Sequence, residues 1–227
     1  MRHVLDGDPP VALVLRRSAR ARRISLRVSR LDGRVTLTLP TGVPEREALA
    51  FARDRADWIR GHLGDMAPSV AVAPGTDLPV EGRLRRIEAA GGRRILLYED
   101  RIAVPGDPIG PRLQAFLKAR ARDRLAAASD RHAAALGLPY ARLSLRDPRS
   151  RWGSCSSRGT LMYSWRLILA PCEVLDYVCA HEVAHLAEMN HSDRFWSVVR
   201  QLYGPYEAER RWLRTEGGAL HRFVFTA

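Results

Sequence analysis

The sequence predicts an α+β protein in two parts: a β-rich N-terminal module with one helix over residues 1–108, then a helical domain packed on a small antiparallel sheet over residues 109–227. Three observations carry this. Apolar residues alternate with polar ones at period two in the first half, and recur at helical spacing in the second. Between the halves stands Pro105-Gly106-Asp107-Pro108-Ile109-Gly110-Pro111, a dense run of chain breakers. With 227 residues, 46% hydrophobic and 27% charged, the chain can bury one large core or two modest ones.

In the first half, Ile24, Leu26 and Val28 alternate with Ser25, Arg27 and Ser29, and Val35, Leu37 and Leu39 with Thr36 and Thr38. Residues 11–39 therefore read as strands with one buried face. Asp32-Gly33 between the runs is a hairpin signal, because both central positions of a type I′ turn need positive φ. Arg16, Arg17, Arg20, Arg22 and Arg23 form a cluster that reads as a solvated loop, with an anion patch as the alternative. Pro44 opens a helix over 45–63, with Leu49, Ala52, Ala56 and Ile59 on one face. Residues 65–79, rich in Pro, Gly and Ala, read as a connector. Short strands follow around 83–88 and 94–98, joined by Gly91-Gly92, and at 101–104.

In the second half, Leu113, Phe116, Leu117, Ala121, Leu125, Ala128 and His132 line one side of a long helix over 112–136, which Gly137 caps. His132 reads as a helix-face residue rather than a ligand. Leu143 and Leu145 mark a short strand, 149–157 a polar loop, and 159–169 a strand through Leu161, Tyr163, Trp165, Leu167 and Leu169. Pro171 starts the next helix. Ser192 caps another, which packs Phe195, Trp196, Val199 and Leu202, and a last helix over 207–215 ends at Gly217-Gly218.

The chemistry sits on the helix that Pro171 opens. It carries His181-Glu182-Val183-Ala184-His185, with His191 six residues on. Side chains at i and i+4 share a helix face, so two imidazoles point at one centre and supply two corners of a tetrahedral site for zinc, with Ni²⁺ or Mn²⁺ as alternatives. Glu182 is poorly placed to ligate but can take a proton from a water held by the metal. Two residues compete for the third corner. His191 lies ten after His181 and is preferred, since three His plus water is an ordinary catalytic zinc set. Asn190 would provide the left-handed helix exit that brings it back. Glu188, at i+3 from His185, is the rival, as a ligand or as a residue that orients one. Arg149, Arg151, Tyr163, Arg166, Tyr203 and Tyr206 are candidate donors to a developing oxyanion. The strand over 160–169 is the candidate edge for an extended peptide, with an ordinary core strand as its alternative.

The runs HEVAHLAEMNHSDRFW (181–196), SRWGSCSS (150–157) and WRLILAP (165–171) resemble the YgjP-like family of metal-dependent hydrolases, relatives of the SprT-type zinc metallopeptidases. The likeness is specific over about 140–215 and looser toward the N-terminus. It implies a zincin-like domain with His181, His185 and His191 as metal ligands and Glu182 as catalytic base.

Composition bounds the rest. Cys155, Cys172 and Cys179 are odd in number and lack C-x-x-C spacing, which excludes a disulfide framework and a cysteine zinc knuckle. Neither a long apolar run nor a secretory h-region occurs, so the cytoplasm is expected and a membrane partner is not. Lys118 is the one lysine, and the net charge of +12 is otherwise arginine. That charge attracts nucleic acid and nucleotides whatever its origin. The expected function is zinc-dependent hydrolysis of peptides by an activated water. Nucleotide pyrophosphohydrolysis is one alternative. A basic nucleic-acid-associated protein is the other, either a SprT-like protease on DNA-bound proteins or a binding protein with a structural metal.

Overall fold

Period-two alternation puts Leu13 and Leu15 of β2 (Val11–Ser18) and Val35, Leu37 and Leu39 of β4 (Val35–Pro40) on one buried face. With β1 (Arg2–Leu5) and β3 (Ser25–Val28) they form a four-stranded sheet in the order β1-β2-β4-β3. The β2–β4 pair is parallel and the outer pairs are antiparallel. This is the first of two units, 1–68 and 69–227; the computed structural model describes residues 2–29, 33–64 and 68–226. Asp32 of the expected hairpin turn lies outside the described residues, while Gly33 has φ 65°. The helix expected over 45–63 breaks at Arg55 into α1 (Glu45–Asp54) and α2 (Ala56–Gly64). Ala48, Ala52 and Ile59 still reach the core.

The division falls inside the connector, at 68/69, and not at the expected 108/109. The reason is the core of the second unit. A sheet in the order β6-β7-β9-β8 contributes Leu78, Val80, Ile87, Ile102 and Val104 to the same cluster as Leu113 and Leu117 of α3 (Ile109–Leu136). The breakers at 105–111 therefore turn the chain from strand to helix within one core. In that sheet β6 (Asp77–Val80) overlaps the end of the expected connector, and its edge position tolerates Pro79. Glu81 and Gly82, with φ 53° and 76°, form the tight turn into β7 (Arg83–Ala90). β7 pairs in parallel with β9 (Arg101–Pro105), so Gly91-Gly92 is not a hairpin turn; β8 (Leu96–Leu97) pairs with β9 instead.

The helix α3 buries the expected face, and Gly137 caps it at φ 74°. His132 is indeed a packed residue: its Nε2 lies 2.9 Å from Asp176 Oδ1. Beyond it, β10 (Arg142–Arg146), β12 (Thr160–Ser164) and β11 (Gly153–Cys155) form a sheet with β12 in the middle. Two expectations change here. The sheet is mixed rather than antiparallel, because β10 runs parallel to β12. The run beyond Ser164 is a 3₁₀ turn, Trp165–Leu169, whose five residues are all buried. Alternation cannot distinguish strand from turn when every side is covered. Then come α4 (Cys172–Ala184), α5 (Asp193–Tyr203) and α6 (Glu207–Thr215). Last, β13 (Phe223–Val224) pairs in parallel with β5 (Val70–Ala71). No helix among the described residues is long and apolar enough to cross a membrane.

Candidate metal centre

The last turn of α4 delivers His181 and Glu182, and His185 is its C-terminal cap. The chain then tightens, with Leu186 N–H donating to Val183 O at 2.9 Å and Ala187 N–H to Ala184 O at 3.1 Å. No left-handed residue is needed: Asn190 does not have positive φ, contrary to the expected helix exit. Ser192 then caps α5 as expected, accepting from Phe195 N–H at 3.5 Å. The reversal brings His191 Nε2 to 3.1 Å from His181 Nε2. One nitrogen from each of His181, His185 and His191 lies within 4.8 Å of the others.

The nitrogens fit a metal. Ligand bonds of about 2.0–2.1 Å in a tetrahedron put ligand atoms roughly 3.3 Å apart, close to the His181–His191 separation. His185 Nδ1 lies 3.0 Å from the Glu188 carbonyl oxygen, and donation there leaves Nε2 with its lone pair free. Burial, helped by the neighbouring imidazoles and Arg210, pushes His181 down to about 3, so it stays neutral. His181 Nδ1 is buried without a hydrogen-bond partner among the described residues. Glu188 thus meets the centre through its backbone, and its carboxylate is not among the convergent groups.

Beneath the rings lies Phe195, fully buried, with its centroid 4.9, 4.4 and 4.7 Å from those of His181, His185 and His191. Trp196 stands 5.6 and 5.7 Å from His181 and His191, and the Arg210 guanidinium covers its ring at 4.6 Å. Sequence reading gave Phe195 and Trp196 only a packing role. The available signal was spacing: Phe195 is four residues past His191, one turn along the helix that follows.

Glu182 is buried beside the edge strand β11. A Cβ added at Gly153 would lie 2.5 Å from Glu182 Oε1, so this glycine is the room in which the carboxylate sits. Burial raises the Glu182 carboxyl to about 8, against the lowering pull of Arg151 and of the Cys155 backbone N–H. Gly153 was read only as the glycine of a polar loop over 149–157, though it stands in the SRWGSCSS run.

The other candidate donors separate. Tyr163 is fully buried, its hydroxyl 3.0 Å from Ser129 Oγ. Arg166 is committed to Asp147, at 2.7 Å, and to the carbonyls of Leu220 and Phe223. Tyr203 donates to the Glu173 carbonyl at 3.1 Å, and Tyr206 stacks between Trp196 and Tyr177. Arg151 alone among the six lowers the Glu182 carboxyl. The expected edge strand also moves: β12 is flanked on both sides, and β11 is the edge beside Glu182. All three cysteines are free; burial raises the Cys155 thiol to about 11, which disfavours the thiolate.

Among solved structures the chain is similar to the metallopeptidase zymogen of Pyrococcus abyssi abylysin, at 21% identity and a TM-score of 0.37, over 41% of this chain and 95% of that one. The comparison with curated proteins gave no match. A family model described as YgjP-like, metallopeptidase domain, matches residues 22–216, as the three motif runs implied. That match takes in most of both units, and the chain belongs to the YgjP-like family through its metallopeptidase domain.

Proposed function

We propose that the protein is a zinc-dependent peptidase in which His181, His185 and His191 hold the metal and Glu182 is the general base. The family carries the coarser part, a metal-dependent hydrolase. The observation that supports the finer part is the convergence of three imidazoles beside one buried carboxyl group. Bound there, zinc supplies Lewis acidity to a water and to the substrate carbonyl. The residues do the rest. Phe195 fixes the ring planes from below, and the Glu188 carbonyl fixes the tautomer of His185. Glu182, buried beside β11, takes a proton from the attacking water and returns it to the leaving amine. Gly153 leaves the carboxylate its room, and β11, the edge strand of its sheet, is the one an extended peptide would pair with.

One observation favours a second reading: the charges of Arg151 and Arg210 act at the centre, on Glu182 and His181. Guanidinium groups hold phosphates bidentately, which suits a phosphoanhydride substrate. Full-length protein, stripped with chelator and reloaded with zinc, nickel or manganese, tests both against peptide and nucleoside triphosphate panels. The proposal expects peptide hydrolysis that disappears with the metal and returns with zinc. Nucleotide hydrolysis without peptide hydrolysis would transfer the site to the second reading.

A further inference from the structure

Beside the His cluster lies a cleft of about 440 Å³ that has His185 in its wall. Leu186 and Met189, just past the metal helix, line it together with Leu138, Tyr140, Ala141 and Gly159, and a Cβ at Gly159 would lie 3.4 Å from Ala141 N and 3.6 Å from Leu186 Cδ2. Leu138 is 39% exposed and Met189 49%, so two large apolar side chains face water in the same cleft. Exposed apolar groups grouped in one concavity mark a binding surface.

The walls are held in place. The αL cap at Gly137 turns the chain after α3, and Leu138 N–H returns to Ala133 O at 3.2 Å. Tyr140 donates its hydroxyl to Asp130 at 2.5 Å. Ala141 N–H donates to Gly159 O at 2.9 Å, tying this wall to the turn between β11 and β12. That turn is closed by Gly159 N–H to Ser156 O and by Thr160 N–H to Ser156 Oγ, at 2.9 and 3.1 Å. A cavity so braced exists before any ligand arrives.

We infer that this cleft receives a bulky uncharged apolar side chain of the substrate, such as Leu, Met or Phe, next to the scissile bond; the inference rests on the peptidase reading. Continuity supplies the argument. The edge strand β11 runs past Glu182 and leads straight into the Ser156–Gly159 turn that lines the cleft. A peptide laid along β11 at the metal would therefore have one side chain in reach of Leu138 and Met189. Arg158 at the rim is exposed and makes no ion pair among the described residues, so a lysine side chain of equal reach is repelled.

The test uses the zinc-loaded full chain and peptides identical except for one residue, Leu, Lys or Ala, placed on either side of the cleaved bond. At one of the positions, kcat/KM for Leu should exceed Ala by roughly 10–200-fold, the range a shaped apolar pocket provides, with Lys also poor. Ala141→Trp, which fills the cleft from an exposed position, should erase the preference at unchanged metal content. Met189→Ser should reduce it, and covers the case in which the tryptophan variant fails to fold. Calorimetry on the Glu182→Gln protein should show the Leu peptide bound more tightly than the Ala peptide. Hydrolysis of all three peptides with equal kcat/KM would overturn the pocket and leave the peptidase reading intact. Failure to hydrolyse any peptide would overturn both.

Discussion

At the scale of single residues, the geometry ranks the contenders at the centre. His191 has its Nε2 3.1 Å from that of His181, whereas Glu188 reaches His185 only through its carbonyl oxygen. On the proposed function, His191→Ala should therefore lose metal about as severely as His185→Ala, because each removes one of the three convergent nitrogens. Glu188→Gln keeps the carbonyl and should leave metal affinity within a few-fold of wild type, less than the roughly 10–100-fold of a lost orienting group. Competition with a chromogenic chelator measures all three, and a larger loss in Glu188→Gln than in His191→Ala would reverse the ranking. The convergence of His181 and His185 was legible because helical periodicity converts i, i+4 directly into a shared face. The fate of Glu188 was not, since sequence shows a carboxylate and hides which backbone carbonyl an imidazole will find.

Among the elements, two supports of the site come from outside the metal helix. Phe195 on α5 is buried against all three rings, so Phe195→Ala should cost about 3–5 kcal/mol of stability and loosen the metal. Denaturant unfolding of metal-free and metal-loaded protein separates the two effects. Gly153 on β11 makes a different demand. Gly153→Ala puts a methyl group where the Glu182 carboxylate lies, and should lower turnover at least 10-fold while the metal stays at full occupancy. Wild-type turnover in that variant would show that Glu182 has no fixed position to lose. Spacing offered a signal for Phe195, whereas the role of Gly153 was hidden because β11 meets the helix through the packing of a distant segment. The strand over 160–169 went astray for a related reason. It was a candidate substrate edge with an ordinary core strand as the alternative; β12 is the central core strand and Trp165–Leu169 is a buried 3₁₀ turn.

For the whole molecule, the α+β class followed from periodicity, but the division of the chain did not follow from its breakers. Leu78, Val80, Ile87, Ile102 and Val104 complete the core around α3 and α4. A fragment over 69–227 should accordingly fold cooperatively and hold metal, while one over 109–227, stripped of that sheet, should not; circular dichroism and metal content compare them. Acid stability has a named contributor. Burial alone would raise the Asp147 carboxyl, but its hydrogen bonds to Arg166 and that residue's charge outweigh it and hold it below the usual range. A carboxyl lowered in the folded state stabilises above its unfolded pKa and loses that contribution as pH falls through the folded value. Asp147→Asn should thus melt below wild type near pH 7, and the gap should narrow as pH is lowered toward about 3. The central claim, that a three-histidine metal centre works through Glu182, is tested most directly by Glu182→Gln. Gln keeps the size of the side chain but cannot accept a proton. Zinc content and peptide hydrolysis, measured on the same preparation, should show one zinc per chain and turnover lower by roughly 10²–10⁴-fold. Full zinc with wild-type hydrolysis would contradict the account.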